Sequence, residues 1–490
     1  MNIWLFLLAS VIASNVVTQA QSPSAGLAAR RWRQLHQAEI LEQFTTLLSI
    51  PNVANDRENI LRNADLLVSM LQKRGVDSRL LKLEGANPVV FGELKTPNAK
   101  QTIVFYAHYD GQPVTPSEWE GNAPFAPVIR KVNGEDRIFA RSASDDKGAI
   151  MAQLAALDAL RAAQIPFRSN IRFVWEGEEE AGSPHLESIL NAHRDLVHGD
   201  VWLVCDGPVD QSGQQTVVFG ARGDTHLEVT VFGAIRGLHS GHYGNWAPNP
   251  AMMLAQLLAG MKDQEGNVLI PHFYDGISPL ATLEKQAIAE APVNDGALRQ
   301  ELGLGHVDGG GKKLLELLNL PTLNINGMAA ANVGARANNV IPSRAVADLD
   351  LRLVVGEHWQ EQQKRVIEYI RSQGYLVVAS EPSRDALLAN PRVAMVKGDE
   401  FSYDAVRTPM DLPIAKGVIA AVESARGKVV KWPTMGGSVP LGEMERAANT
   451  RTITVPIANH DNSQHSSNEN IRLQNLWDGI ETMAALMQVE

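Results

Sequence analysis

The sequence contains a single cysteine, Cys205, among its 490 residues. One cysteine cannot form a disulfide bond within the chain, so the fold depends on packing in any redox compartment. Basic residues are also outnumbered, with 44 Lys and Arg against 55 Asp and Glu, which gives a formal net charge of -11. A negatively charged protein repels phosphate groups, and we therefore expect no nucleic-acid partner.

Long apolar segments are missing as well. The run IWLFLLASVIA at residues 3–13 is interrupted by Ser10 and is shorter than the roughly 20 residues that span a bilayer. Small residues follow it up to Ala20, a pattern that resembles a signal peptide although no Lys or Arg precedes the run. We predict a signal peptide over residues 1–20, export to the periplasm or the cell exterior, and no stable membrane insertion. An amphipathic N-terminal helix is the alternative.

The remaining composition is that of an ordinary folded protein. Hydrophobic residues make up 44% and charged residues 20% of the chain, which excludes collagen-like, coiled-coil and wholly disordered classes. At about 150 residues per domain the length fits three domains or two large ones.

Short apolar runs alternate with helical patterns in the first part of the chain. Runs at 102–107, 171–175 and 201–205 have the composition of buried strands, and the Ala- and Leu-rich stretch 149–163 has the spacing of a helix. This alternation predicts an α/β fold in which helices cover a mostly parallel sheet.

The pattern changes after residue 220. Residues 226–232 and 345–355 alternate as half-buried strands do, and helical patterns follow at 249–261 and 359–371. A further helix and strand near 411–425 and 451–457 resume the first pattern. We therefore predict a first domain over residues 23–220 and 403–490, interrupted by an inserted α+β domain over residues 221–402.

Metal-type ligands follow four of the apolar strands. His108 and Asp110 follow the first, the run 176–180 ends in Glu178-Glu179-Glu180, Asp206 follows the third, and the last leads toward His465. The carboxyl ends of strands in an open α/β sheet share one crevice, so we expect these groups to converge.

Each of these residues alone has an ordinary explanation. An acidic run is usually a solvated loop, His108 alone is more often structural, and Asp145-Asp146 is also typical of a helix cap. Carboxylates that converge in a cleft, however, repel one another and become protonated unless cations neutralise them. Two divalent metal ions satisfy this requirement.

Taken in order, these motifs look like those of the M20 family of di-metal peptidases. They are His108-Tyr109-Asp110-Gly111-Gln112-Pro113, Arg141-Ser142-Ala143-Ser144-Asp145-Asp146-Lys147-Gly148, Glu176-Gly177-Glu178-Glu179-Glu180-Ala181-Gly182-Ser183, Asp206 and Gln464-His465-Ser466. The dipeptidase and carnosinase-like branch is the one that the sequence resembles most. Leu238-His239-Ser240-Gly241 resembles a motif of that family's lid domain, although Gly237 stands where many members have Asp.

The resemblance implies two metal ions per subunit. Asp145 is expected to bridge them, while His108 and Asp206 complete one site and Glu180 and His465 the other. Mixed histidine and carboxylate ligands favour Zn²⁺, and Mn²⁺ is also chemically possible. The resemblance also implies a cis peptide bond between Asp145 and Asp146.

Catalytic roles follow from the same resemblance. Glu179 matches the general base, and Asp110, two residues beyond His108 on the same face of an extended strand, is expected to orient the imidazole. The lid implies a homodimer in which His239 acts in the active site of the other subunit.

Substrate-binding residues are implied in the lid and in the resumed first domain. Arg352 resembles a residue that binds a C-terminal carboxylate, for which a forked guanidinium is suited; a surface arginine is the alternative. Asn339, Gly437 and Ser438 lie in loops that resemble substrate-contacting loops.

The expected function is therefore hydrolysis of the amide bond of dipeptides or short peptides with a free C-terminal carboxylate. The first domain would be catalytic, and the insert would be a lid that also dimerises. An N-acyl-amino-acid deacylase using the same site is one alternative. A peptide-binding protein without activity is another, but binding alone needs no base such as Glu179.

Overall fold

The computed structural model describes residues 24–490. The predicted signal peptide therefore lies outside the described residues. Within the described range, no helix is both long enough and apolar enough to cross a bilayer.

The helices lie in both parts of the chain. They are α1 (Ala25–Leu35), α2 (Gln37–Leu48), α3 (Arg57–Lys73), α4 (Lys147–Ala162), α5 (Leu186–Ala192), α6 (Arg194–Val197), α7 (Ser240–Tyr243), α8 (Pro250–Ala259), α9 (Thr282–Glu290), α10 (Asp295–Glu301), α11 (Leu314–Leu317), α12 (Trp359–Ser372), α13 (Arg384–Ala389), α14 (Pro413–Arg426), α15 (Leu441–Ala448) and α16 (Leu473–Leu486).

The strands form two large sheets and several short ribbons. They are β1 (Asp77–Leu81), β2 (Val89–Leu94), β3 (Thr102–His108), β4 (Val128–Val132), β5 (Glu135–Phe139), β6 (Asn170–Glu176), β7 (Val201–Val204), β8 (Thr216–Val218), β9 (Gly220–Ala221), β10 (Gly223–Phe232), β11 (Leu238–His239), β12 (Thr322–Ala329), β13 (Val340–Ile341), β14 (Arg344–Leu353), β15 (Leu376–Val378), β16 (Val393–Gly398), β17 (Val406–Arg407), β18 (Val430–Trp432), β19 (Thr452–Thr454) and β20 (Asn470–Arg472).

The larger sheet has eight strands in the order β1-β2-β6-β3-β7-β19-β8-β18. The central strands β6, β3, β7 and β19 are parallel, and so are β8 and β18. The pairs β1–β2, β2–β6 and β19–β8 are antiparallel. The predicted α/β class is confirmed, with a mixed sheet whose centre is parallel.

Hydrophobic cores on both faces of this sheet explain the continuous apolar strands. In β3, Ile103 and Phe105 belong to one core and Val104 and Tyr106 to the other, because successive side chains point to opposite faces. Helix α4 is buried along most of its length in the first core, and its many alanines allow close packing against the sheet and α16.

The second sheet has five strands in the order β12-β14-β10-β16-β15 and is antiparallel except for the pair β15–β16. Strands β10 and β14 pair from Gly223↔Leu353 to Phe232↔Arg344. Side chains of α8 and α12, such as Leu254 and Val366, pack on this sheet and form a separate core. The chain thus contains the expected α+β insert.

One segment of the insert packs against the first sheet instead. Ala287 of α9 belongs to the core of the first domain, and α9 contacts β18. Arg407 Nε lies 3.1 Å from Glu284 Oε1 in a buried ion pair. Helix α9 therefore packs on the first domain, although it lies within the insert along the sequence.

Candidate metal centre and active site

His108, Asp145 and Asp206 form the first group of possible metal ligands. One donor atom from each residue lies within 4.8 Å of the other two. His108 Nε2 is 2.9 Å from Asp145 Oδ1, and both side chains are almost completely buried.

Asp145, Glu180 and His465 form the second group within the same distance limit. His465 Nε2 is 3.1 Å from Asp145 Oδ2 and 3.2 Å from Glu180 Oε2. Asp145 thus belongs to both groups and directs one carboxylate oxygen toward each histidine.

The parallel strands bring these residues together. His108 ends β3 and lies in register with Glu176 at the end of β6, and Asp206 follows β7 by two residues. Strands that run in parallel have their carboxyl ends at the same edge of the sheet, which is where the sequence predicts the site.

The loop that carries Asp145 is held by Glu469. The Glu469 carboxylate accepts hydrogen bonds from the backbone N–H groups of Ser142, Ser144 and Asp145, and Arg141 Nη1 donates to it over 2.8 Å. Glu469 is completely buried. The peptide bond between Asp145 and Asp146 in this loop is cis.

Asp110 connects the two halves of the centre. Its Oδ1 and Oδ2 accept hydrogen bonds from the backbone N–H groups of Glu179 and Glu180 over 3.1 and 3.0 Å. His108 Nδ1 lies 3.2 Å from the backbone oxygen of Asp110 and 3.4 Å from its Oδ1. Gln112, to which the sequence assigned no role, donates to Glu180 Oε2 over 2.7 Å.

Burial and mutual repulsion shift the pKa values of the carboxyl groups. Burial raises the pKa of Asp206 to about 6 and that of Glu180 to about 7, and the charge of Asp145 adds to both shifts. Burial would also raise the pKa of Asp145, but hydrogen bonds from His108 and His465 outweigh it and hold that pKa well below its usual range.

The donor set fits two divalent cations. Two histidines and three carboxylates are ligands that Zn²⁺ and Mn²⁺ accept, and a shared carboxylate supplies one oxygen to each ion. With a pKa of about 7, Glu180 retains a proton in part of the molecules at neutral pH, and Asp206, with a pKa of about 6, does so at slightly lower pH, unless another cation replaces the proton.

Glu179 lies beside both groups without belonging to either. Its Oε2 is 4.0 Å from His108 Nε2, and 15% of its side chain is exposed. Glu179, Asp145, Asp206 and His465 line one cavity of about 350 Å³. Burial raises the pKa of Glu179 well above its usual range, although His108 opposes the rise.

Two of the predicted substrate residues line this cavity, and a third contacts one of them. Gly437 and Ser438 line it, and Arg352 Nη1 donates to Ser438 Oγ over 3.0 Å. Arg352 Nε also lies 3.1 Å from Asp350 Oδ1. The lid strand β14 therefore places its guanidinium at the boundary with the first domain.

His239 and Asn339 lie elsewhere. Both are exposed, and within residues 24–490 neither is among those that line the cavity. His239 pairs with Val340 in the short ribbon of β11 and β13, and its Nδ1 accepts a hydrogen bond from the Gly241 N–H over 3.1 Å. A Cβ atom at Gly237 would lie 2.9 Å from Val340 Cγ1. Glycine at position 237 therefore lets the chain pass close to the Val340 side chain.

Comparison with known proteins identifies relatives over most of the chain. It is 25% identical over 463 residues to the Cys-Gly metallodipeptidase of Schizosaccharomyces pombe, covering 90% of this chain and 93% of that protein. It is 26% identical over 478 residues to the Beta-Ala-His dipeptidase of Homo sapiens, covering 92% and 90%.

A solved structure agrees with these relatives. The M20 family metallo-carboxypeptidase Sso-CP2 from Sulfolobus solfataricus is 27% identical and superimposes with a TM-score of 0.76, covering 92% of this chain and 99% of that one. Residues 104–489 match the sequence profile described as peptidase family M20/M25/M40. The predicted family and enzyme class are thereby confirmed: the chain is a metal-dependent peptidase that belongs to peptidase family M20/M25/M40.

Proposed function

We propose that this peptidase hydrolyses the amide bond of dipeptides or short peptides that carry a free C-terminal carboxylate. The observation that carries the proposal is the pair of ligand groups sharing Asp145, with Glu179 beside them in one cavity. The dipeptidases among the relatives support the choice of a short substrate.

Five residues would hold the metal ions: His108 and Asp206 on one side, Glu180 and His465 on the other, and Asp145 between them. When bound, two divalent ions neutralise the carboxylates, polarise the substrate carbonyl and make the attacking water more acidic. Zn²⁺ suits this donor set best, and Mn²⁺ is the alternative.

Glu179 acts as the general base in this proposal. It accepts a proton from the attacking water and delivers it to the departing amine. Its position on the short 3₁₀ turn Glu179–Ala181 is fixed by the hydrogen bond from its backbone N–H to Asp110. Asp110 therefore orients the base and His108 together.

Arg352 and Ser438 bind the substrate's terminal carboxylate in this proposal. A guanidinium and a hydroxyl group supply several donors within one small region, and the guanidinium would exchange part of its contacts with Asp350 and Asp224, at 3.1 and 3.6 Å, for the substrate carboxylate. Gly437 leaves the backbone beside Ser438 accessible, because it has no side chain and is exposed.

A second copy of the chain supplies His239 and Asn339 in this proposal. Both residues lie on the exposed lid, and beside them Trp246 is 81% exposed and Tyr243 is 37% exposed. A C₂ dimer through the lid would bury these aromatic side chains and bring each His239 to the other subunit's substrate, where it would stabilise the developing oxyanion.

Export is proposed from the sequence pattern at residues 1–20. N-terminal sequencing of the protein after expression in an exporting host tests it. A mature chain that begins just after Ala20 would support export, and a chain that retains the apolar run would contradict it.

A substrate panel tests the activity. We expect the enzyme loaded with Zn²⁺, and separately with Mn²⁺, to hydrolyse free dipeptides faster than their C-terminal amides or N-acetyl amino acids. Faster cleavage of N-acetyl amino acids would identify a deacylase. Binding of dipeptides without cleavage by the metal-loaded protein would identify a peptide-binding protein.

A further inference from the structure

The active-site cavity has a lining of two chemical kinds. Besides the metal-type ligands and Glu179, apolar side chains line it. These apolar side chains are Val218, Trp432, Met435, Val439 and Pro456. A charged substrate side chain packed against them would lose its hydration without gaining a counter-charge, whereas an apolar side chain would gain from burial.

Trp432 belongs to this apolar lining and also contacts a second cavity. It pairs in register with Val218 across β18 and β8, so the two residues lie side by side. Trp432 also lines a second cavity, of about 300 Å³, together with Leu298 and Leu315 from the segment 282–318. The tryptophan therefore separates the two cavities.

The segment 282–318 contacts the loop that follows Trp432. A Cβ atom at Gly436 would lie 3.3 Å from Leu318 Cδ2, so the loop that lines the active-site cavity packs against the end of α11. Leu318 also lines the second cavity. The second cavity therefore lies between this segment and the loop of the active-site cavity.

We infer that this apolar lining forms a subsite for an apolar side chain on the C-terminal residue of the substrate, and that Trp432, between the two cavities, limits its depth. This inference rests on the proposed function. Ser438 contacts Arg352 and lies next to Val439 in the same loop. If Ser438 and Arg352 bind the substrate's C-terminal carboxylate, the side chain of that C-terminal residue would lie beside Val439 and Met435.

Steady-state kinetics with the metal-loaded enzyme test the subsite. We expect kcat/KM for Ala-Leu to exceed that for Ala-Gly by about ten-fold or more, and Ala-Asp and Ala-Lys to be poorer than Ala-Leu. Equal values for Ala-Leu and Ala-Gly would overturn the inference. A preference seen for Leu-Ala over Gly-Ala instead would overturn the assignment to the C-terminal residue.

Two variants change the depth in opposite directions. Trp432→Ala opens the cavity toward the second one, so the ratio of kcat/KM for Ala-Trp to that for Ala-Leu should rise by about ten-fold. Val439→Phe adds a larger side chain to the cavity lining and so fills the cavity. It should lower the ratio of kcat/KM for Ala-Leu to that for Ala-Gly. Leu298→Ala is the control, because it enlarges only the second cavity and should leave both ratios unchanged.

A binding measurement separates this inference from the proposed function. Calorimetry with the metal-loaded protein should show tighter binding of L-leucine than of glycine, and Val439→Phe should reduce that difference. If this pattern holds while no dipeptide is cleaved, the proposed function fails and the subsite remains. If dipeptides are cleaved but neither the ratios nor leucine binding respond to the variants, the subsite is wrong and the proposed function remains.

Discussion

The metal centre and the lid ribbon differ in how each is held. His108 is completely buried, and Asp145 and Glu180 expose no more than 5% of their side chains. His239, by contrast, is exposed on a ribbon of two paired residues on each strand. One chain alone therefore brings the candidate metal ligands together, whereas His239 would reach a substrate only in the dimer that we propose.

The difference also separates two kinds of contribution. Asp145 and Glu180 are fixed by the buried groups Glu469 and Asp110 before any substrate arrives, although the ligand His465 exposes 54% of its side chain. Residues of the ribbon would be fixed only on dimerisation. We therefore expect changes in the centre to alter metal content or chemistry, and changes in the ribbon to alter turnover while the centre stays intact.

The largest expected effect is loss of the general base. Glu179→Ala should lower kcat by about 10²–10⁴-fold while both metal ions remain, because Glu179 lies outside both ligand groups. Glu180→Ala is the matched change at a proposed ligand and should lose one metal equivalent. Retention of both ions by Glu180→Ala and loss of one by Glu179→Ala would reverse the two assignments.

The next effect tests the ribbon. His239→Ala should lower kcat by about 10²–10³-fold with metal content unchanged, because an oxyanion donor is lost. Co-expression of this variant with Glu179→Ala should restore activity to about a quarter of wild type, since about half the dimers are mixed and each has one intact site of two. If the mixed dimers are as inactive as either single variant, His239 does not act in the other subunit's active site.

Glu469 tests how the centre is held. Glu469→Gln removes the charge opposite Arg141, which is 2% exposed, and should lower the free energy of unfolding by about 3–5 kcal/mol. The control Glu361→Gln makes the same change in an exposed pair with Lys364 and should cost less than about 1 kcal/mol. Urea unfolding of both variants checks this, and equal losses would contradict the structural role of Glu469.

A smaller effect concerns pH. The raised pKa values, about 6 for Asp206 and about 7 for Glu180, favour the protonated carboxyl groups in the metal-free fold. Stability should therefore fall as the pH rises from the ordinary carboxyl pKa values, 3.8 and 4.5, to about 6–7, because the unfolded chain releases these protons first; bound metal ions would offset this loss.

Zinc affinity should therefore weaken as the pH falls. Lowering the pH from about 7.5 to 5.5 should raise the Kd for Zn²⁺ by at least about ten-fold, because protons compete for the same oxygens. Chelator-competition titrations at the two pH values measure this change. A Kd that does not vary would show that these carboxyl groups are not protonated in the metal-free protein.

The sequence predicts the centre of the sheet well because local signals agree there. Apolar runs, turn residues and metal-type ligands coincide at the ends of β3, β6 and β7, so the position of His108 or Asp206 follows from a general property of parallel strands. The antiparallel pairs involving β1 and β2 are not predicted, because short strands carry little information about direction.

The support of the site is not predictable in the same way. Glu469 contacts residues more than 320 positions earlier, and nothing in the surrounding Asn468-Glu469-Asn470 marks a buried anion. Gln112 belongs to a recognisable motif, but its bond to Glu180 depends on how two loops meet. The packing of α9 against β18 likewise arises from tertiary contacts between distant segments.

Zinc stoichiometry tests the central claim, a two-metal centre shared through Asp145, most directly. Each protein is loaded with excess Zn²⁺, desalted and measured by elemental analysis. Wild type should hold two zinc equivalents per chain and His465→Ala should hold one. Asp145→Ala should hold fewer than His465→Ala, because both ligand groups lose a ligand. One equivalent in wild type, or two retained by Asp145→Ala, would contradict the account.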